Sequence, residues 1–228
     1  MHIVTLSFDD GFLKSNLKIA EIYERFGLSA CFNVLAAPGE LEEGQEVWGK
    51  DRGDFALWND MQQRGHEIMP HGYRHANKRE RPFEESRDLI SRCLDIFDKE
   101  LEGFDRSRAV FNFPYNQSTP ELEGWLPSVV KAFRTAGPMI NALPTLETQK
   151  LTTGGHGPDN CEEHLDAQIA ELLSRPEGWV VYNTHGLDDE GWGPIRASYL
   201  EELLGRLTAI EGVEVLPSAA VLRRVSEA

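Results

Sequence analysis

Cysteine is almost missing from this chain. Among 228 residues only Cys31, Cys93 and Cys161 occur, an odd number with no metal-type spacing, so reduced thiols are expected and not a disulfide framework. Basic residues are also scarce: 23 Lys and Arg face 38 Asp and Glu, a formal charge of −15 at pH 7. Such a surface repels phosphate backbones and anionic headgroups, which argues against a nucleic-acid or membrane partner. No apolar run approaches the length of a membrane span. The opening "MHIVTLSFDDG" has neither the basic nor the long apolar region of a signal peptide, so a cytoplasmic location is expected. Repeats, low-complexity tracts and interdomain linkers are lacking too. A single domain over residues 1–228 is therefore expected, and the oligomeric state is left open.

What is present is an alternation of strand and helix. "HIVTLSF", "SACFNVLA", "HEIMPH", "RAVFNFPY", "GWVVYNTH" and "VEVL" read as strands. Between them, "NLKIAEIYERFG", "FALWNDMQQRG", "HLDAQIAELLSR", "ASYLEELLGRLTAI" and "PSAAVLRRV" carry helical spacing, and "TPELEGWLPSVVKAF" reads as a helix interrupted at Pro127. "PFEESRDLISRCLDIFDKELEG" is the clearest helix, with Pro82 near its start, acids in its first turn and Gly103 past its end. A long acidic loop, "APGELEEGQEVWGKDRGD", follows the second strand, and residues 134–160 have no clear pattern. The alternation predicts an α/β fold of parallel strands with helices outside, a barrel or an open sheet. In both, chemistry belongs at the C-terminal ends of the strands.

The polar clusters fall there. Asp9 and Asp10 end the first strand, "HGYRH" follows the third, "NFPYN" the fourth, and "THGLDDEGWGP" follows "WVVYN". His71 and His75 are four residues apart, so a helical turn would put both imidazoles on one face, able to share a cation. With one carboxylate from the first strand they would leave open positions on that cation, as hydrolysis requires. The second carboxylate would then be free to take a proton from water. Strand alternation turns His66 away from His71, a structural position. Cys31 reads as core, His164 as solvated and His156 as part of a surface loop, and His2 sits at the terminus.

Together these segments resemble the polysaccharide deacetylase family, the carbohydrate esterases with a NodB-like domain. The residues in question run in order from Ile3 to His185. The first family motif stands as Ser7-Phe8-Asp9-Asp10-Gly11. The second stands as His71-Gly72-Tyr73-Arg74-His75, with glycine where the family has Ser or Thr. The third matches at Pro114 and Tyr115, and the fifth at His185. The resemblance implies a distorted (β/α) barrel with fewer than eight strands. It implies a divalent metal, zinc above all, held by Asp10, His71 and His75. Asp9 would be the general base and His185 the general acid, and the backbone N–H of Tyr115 would help stabilise the oxyanion. The implied activity is hydrolytic removal of acetyl groups from an N- or O-acetylated sugar.

Two departures bear on the substrate. Asn112 stands where the third motif has an arginine thought to orient the base, so Asp9 is expected to be easier to protonate than with a cation there. The fourth, acidic-aromatic motif is not found, and Trp192 is a candidate for its aromatic wall. Pro114, Asn112 and Trp192 are thus the candidate substrate-contacting residues. Two other functions fit the same residues: hydrolysis of a small cyclic amide or ureide, as in the allantoinase-like branch, and noncatalytic sugar binding.

Overall fold

The computed structural model describes residues 1–40, 51–154 and 156–227. Residues 41–50 of the predicted acidic loop lie outside the described residues. The elements in chain order are β1 (His2–Asp9), α1 (Leu13–Arg25), β2 (Cys31–Val34), α2 (Phe55–Gln63), β3 (Glu67–Pro70), α3 (Phe83–Glu100), β4 (Val110–Asn112) and α4 (Pro120–Trp125). They continue with β5 (Ala132–Ala136), β6 (Ile140–Asn141), β7 (Lys150–Thr153), α5 (Cys161–Ser174), β8 (Gly178–Thr184), α6 (Ala197–Thr208), β9 (Val213–Val215) and α7 (Ser218–Glu227).

Two sheet pieces form a distorted (β/α) barrel. One has the order β3-β2-β1-β8-β6, with β9 paired to the first half of β1; the other has the order β4-β5-β7. All ladders are parallel except that of β6 with β8. β1 and β8 are buried along almost their whole length, hence their continuous apolar runs. Where the two pieces meet, side chains replace the ladder. Val110 N–H points to Met69 Sδ at 3.3 Å on one side, and Thr153 Oγ1 donates to the Val181 carbonyl at 2.7 Å on the other.

The outer helices follow from their sequence. Asp54 caps α2 by accepting the N–H of Leu57. Glu84 and Glu85 place negative charge in the first turn of α3, where the helix dipole favours it. That helix buries Leu89, Ile90, Cys93, Leu94 and Phe97, and Phe97 meets Phe55 edge to face at 5.2 Å. Each such side chain contributes about 1.5–3 kcal/mol on burial. The three cysteines are free and buried. No described helix is long and apolar enough to cross a membrane.

Two expectations need correction. The helix read from Thr119 to Phe133 is α4 and a short 3-10 turn, Leu126–Ser128; Ala132 and Phe133 open β5. Pro127 has no N–H to continue an α-helix, and Phe133 pairs with Phe111 of β4. His164 is not solvated. It is half-buried on α5, its ring stacked on His156 with centroids 4.0 Å apart and its Nδ1 3.1 Å from the Tyr182 hydroxyl. His66, as expected, serves the structure: it is buried and its Nδ1 accepts the N–H of Ala30 at 3.1 Å.

Candidate functional site

The C-terminal ends of the strands share one rim, and a cavity of about 970 Å³ opens there. Its walls include Asp9, Asp10, His71, His75, Tyr115, Asn183, His185 and Trp192. Asp9 is the last residue of β1 and points inward. Strand alternation would turn Asp10 to the opposite side, but Asp10 has left the strand, with φ at 75°. Asp tolerates this left-handed conformation better than most residues, and it brings both carboxylates to one site.

The loop after β3 supplies the histidines. His71 Nδ1 lies 3.0 Å from the Asn112 carbonyl, which accepts its proton and leaves Nε2 facing the site. Gly72 adopts φ of 96°, and a Cβ there would sit 3.3 Å from Pro114 Cγ. Both facts account for glycine where the resemblance calls for Ser or Thr. The turn then brings His75 back, at φ of 49°, with its ring centroid 5.3 Å from that of His71.

Asp10 Oδ1 lies 3.4 Å from His71 Nε2 and 3.3 Å from His75 Nε2. This oxygen is buried, yet no aligned hydrogen bond satisfies it. One ligand atom from each of Asp10, His71 and His75 lies within 4.8 Å of the other two. Burial raises the cost of charge on Asp10, but the imidazoles of His75, His185 and His71 more than reverse this and hold its carboxyl well below the usual range. Burial pushes the His75 imidazole down to about 4 despite Asp10 nearby, so its lone pair is available at neutral pH. One carboxylate oxygen and two imidazole nitrogens around an unsatisfied point form a donor set that suits a divalent cation such as zinc.

Asp9 has different surroundings. Its Oδ1 accepts from Asn33 Nδ2 at 2.7 Å and an Arg134 terminal nitrogen at 2.9 Å. Its Oδ2 accepts from the other Arg134 terminal nitrogen at 2.5 Å and from Asn183 Nδ2 at 2.7 Å. Burial disfavours the charged form, but the guanidinium of Arg134, with His71 and His185, outweighs it and lowers the Asp9 pKa. The expectation of an easily protonated Asp9 is therefore corrected. Asn112 does lack the charge, but Arg134 provides it from the neighbouring strand, at the position paired with Asn112 in the ladder.

Asn112 is also corrected as a substrate contact. It is 1% exposed, and its Nδ2 donates to Asn33 Oδ1 and the Val110 carbonyl. Pro114 is buried behind the rim against Gly72 and does not line the cavity. Tyr115, half exposed, adopts φ of 57° in the turn Pro114–Asn116, and its ring centroid is 4.6 Å from that of His75. His185 follows β8; its buried Nδ1 has no hydrogen-bond partner, and Trp192 meets its ring edge to face at 5.8 Å.

Sequence reading missed Asn33, Arg134 and Asn183. Asn33 and Asn183 were detectable, since each interrupts an apolar strand on its inward side. Arg134 lies at the head of the segment without a clear pattern, and nothing in the sequence joins it to Asp9.

The folds of several solved structures match this arrangement. The Xyl-CE4 domain of a multidomain xylanase from the hindgut metagenome of Trinervitermes trinervoides is 13% identical with a TM-score of 0.65, covering 99% of this chain and 91% of that one. A family 4 acetyl xylan esterase from Clostridium thermocellum, in complex with a cobalt ion, is 16% identical with a TM-score of 0.64, covering 97% and 91%. The peptidoglycan deacetylase PdaC from Bacillus subtilis is 16% identical with a TM-score of 0.60, covering 99% and 92%. At these identities the likeness is one of fold. No curated protein matches the sequence. The sequence model of the polysaccharide deacetylases matches residues 1–125, more than half of the chain, and includes both carboxylates and both histidines. The chain belongs to the polysaccharide deacetylase family.

Proposed function

We propose that this protein is a zinc-dependent hydrolase that removes acetyl groups from an N- or O-acetylated carbohydrate. The observation that carries the reading is the convergence of Asp10, His71 and His75 on one point in the wall of a cavity that also holds Asp9 and His185. A cation held there would supply Lewis acidity, polarising the acyl carbonyl and acidifying water. The rest falls to the chain. The turn at Tyr115 offers a main-chain N–H to the oxyanion, and losing one such donor typically costs about 2.7–4 kcal/mol. His185 protonates the departing group, without which an amine leaves poorly. Asp9, held ionised by Arg134, takes the proton of the attacking water. At about 970 Å³ the cavity has the size of a small-molecule site, and Trp192 gives a sugar ring an apolar edge to lie against. Structural neighbours described as an acetyl xylan esterase and a peptidoglycan deacetylase support a carbohydrate substrate.

The test is acetate release by the zinc-loaded protein from acetylated xylo- and glucosamine oligosaccharides, run beside ring opening of cyclic ureides. Acetate from a sugar supports the reading. Ring opening without acetate release would transfer the protein to cyclic amide hydrolysis, and inactivity on both with retained sugar binding would make it a binding protein.

A further inference from the structure

We propose that Asn183 and Asn116 are positioning residues that tie the turn bearing the Tyr115 main-chain N–H to Asp9, so that oxyanion donor and base are placed as one unit. The inference rests on the hydrolase reading above and begins at a disfavoured turn. Tyr115 and Asn116 both adopt left-handed conformations, with φ of 57° and 53°. Residues with a Cβ take this region reluctantly, and two in a row persist only where their surroundings hold them. Main-chain bonds close the turn itself: Asn116 N–H donates to the Phe113 carbonyl at 3.0 Å, and Gln117 N–H to the Pro114 carbonyl at 3.1 Å. Two further bonds grip it from other strands. The Thr135 hydroxyl, on β5, donates to the Asn116 carbonyl at 3.1 Å, and Asn116 Nδ2 donates to Asn183 Oδ1, on β8, at 3.1 Å.

The second grip leads to the base. Asn183 Nδ2 donates to Asp9 Oδ2 at 2.7 Å. Asp9, paired with the Arg134 guanidinium at 2.9 and 2.5 Å, is a carboxylate that can only accept. This fixes which end of the Asn183 amide faces Asp9, so Oδ1 faces Asn116, and Asn116 has to present its amide nitrogen. Arg134 and Thr135 are neighbours on β5, so the bonds close a ring: Arg134 to Asp9, Asp9 to Asn183, Asn183 to Asn116, and Asn116 back to Thr135. All of these side chains are buried, where such bonds are strong and mutually reinforcing. The ring reaches the cavity at Asp9, Asn116 and Asn183, with Tyr115 beside them in the wall. It does not pass through Asp10, His71 or His75. In the reaction, the water oxygen bonds the acyl carbon, its proton passes to Asp9, and the carbonyl electron pair moves onto oxygen beside the Tyr115 N–H. Both groups act on one carbon in one transition state, so their relative placement governs turnover more than substrate binding.

The experiment compares Asn116→Gly, Asn183→Leu and the double variant with the wild type, all zinc-loaded, on an aryl acetate. Acetate release from acetylated xylo- and glucosamine oligosaccharides is read in parallel. Glycine accepts the left-handed turn without strain, so Asn116→Gly cuts the tie and spares the backbone. Asn183→Leu removes both amide bonds at similar side-chain size. Each single variant is expected to lose about 10²-fold in kcat, the cost of a displacement of about 1 Å, with KM and zinc content unchanged. The double variant should be no slower than the slower single, because both changes cut the same chain of bonds. Losses that multiply in the double variant overturn the proposal. So does wild-type kcat in Asn116→Gly, even with a lowered melting temperature, since that is a structural role alone. A raised KM at full kcat, or loss of zinc, overturns it too. Should Asn183→Leu not fold, kcat and KM of Asn116→Gly decide the matter. Aryl acetate turnover without acetate release from any sugar would fail the carbohydrate reading and leave this test intact. A zinc-loaded wild type inert to both overturns both.

Discussion

Asn112 and Arg134 face each other across the β4–β5 ladder, and of the two it is Arg134 that grips Asp9 through both terminal nitrogens. The cation missing from one strand stands on the next. Asn112→Arg alone would put a second buried guanidinium beside a carboxylate already fully engaged. The single substitutions Asn112→Arg and Arg134→Asn are each expected to destabilise the fold, and the double exchange to recover part of the loss. A coupling of at least about 1 kcal/mol in urea unfolding would check this; strictly additive losses would show that the two positions do not share the carboxylate.

Removing Arg134 should also change how stability depends on pH. The Asp9 pKa is depressed in the fold, so the ion pair stabilises above the unfolded carboxylate value of about 3.9 and is lost as pH falls through the lower folded value. Arg134→Gln is therefore expected to cost about 3–5 kcal/mol at pH 7, as a broken buried pair does. The gap to wild type should narrow in acid. Equal gaps at pH 7 and pH 3 in chemical denaturation would contradict this.

Zinc should stabilise the protein through Asp10, His71 and His75. At 100 times its dissociation constant a ligand adds about 2.7 kcal/mol to the folded state. The wild type should gain in melting temperature on zinc addition and lose the gain with chelator, while His71→Ala and His75→Ala show no response. A His75→Ala protein that keeps full zinc content in elemental analysis would remove His75 from the site.

Gly72→Ser brings the loop closer to the family motif, but it should harm this chain. Only glycine is at ease at φ of 96°, and the added Cβ would press on Pro114. A loss of more than about 1 kcal/mol is expected, together with weaker zinc binding, since His71 and His75 flank the turn. Zinc titration and thermal unfolding read the two effects separately. A variant that binds zinc as tightly as wild type would mean the loop can relax around the side chain.

The sequence disclosed the strands, the long helices and the metal-type cluster because each has a local signature. β1, β8 and α3 are continuous or periodic over many residues, and Asp9, Asp10, His71 and His75 sit just past strands. It hid what depends on partners distant in the chain. β6, of two residues, and β7, of four, are too short for a pattern of their own. Arg134 meets Asp9 across 125 residues, and the start of β5 read as the end of a helix because "VVKAF" suits either state. The burial of Asn112 and Pro114 away from the cavity wall was equally hidden, since a motif names residues without saying which way they face.

Arg134 belongs to the three-stranded sheet, while Asp9 and Ser7 belong to β1 of the other. The bond that orders Asp9 in the candidate site therefore also ties the two sheet pieces across the barrel. This constrains how the protein can change over generations. Cavity-wall residues such as Arg79 and Gln117 can be exchanged singly, at small cost to the fold. Asp9 and Arg134 cannot, because every route that changes one first passes through a chain with a stranded buried charge and a weakened seam. Substrate preference is thus open to drift, while the charge pair at the centre is locked to the architecture.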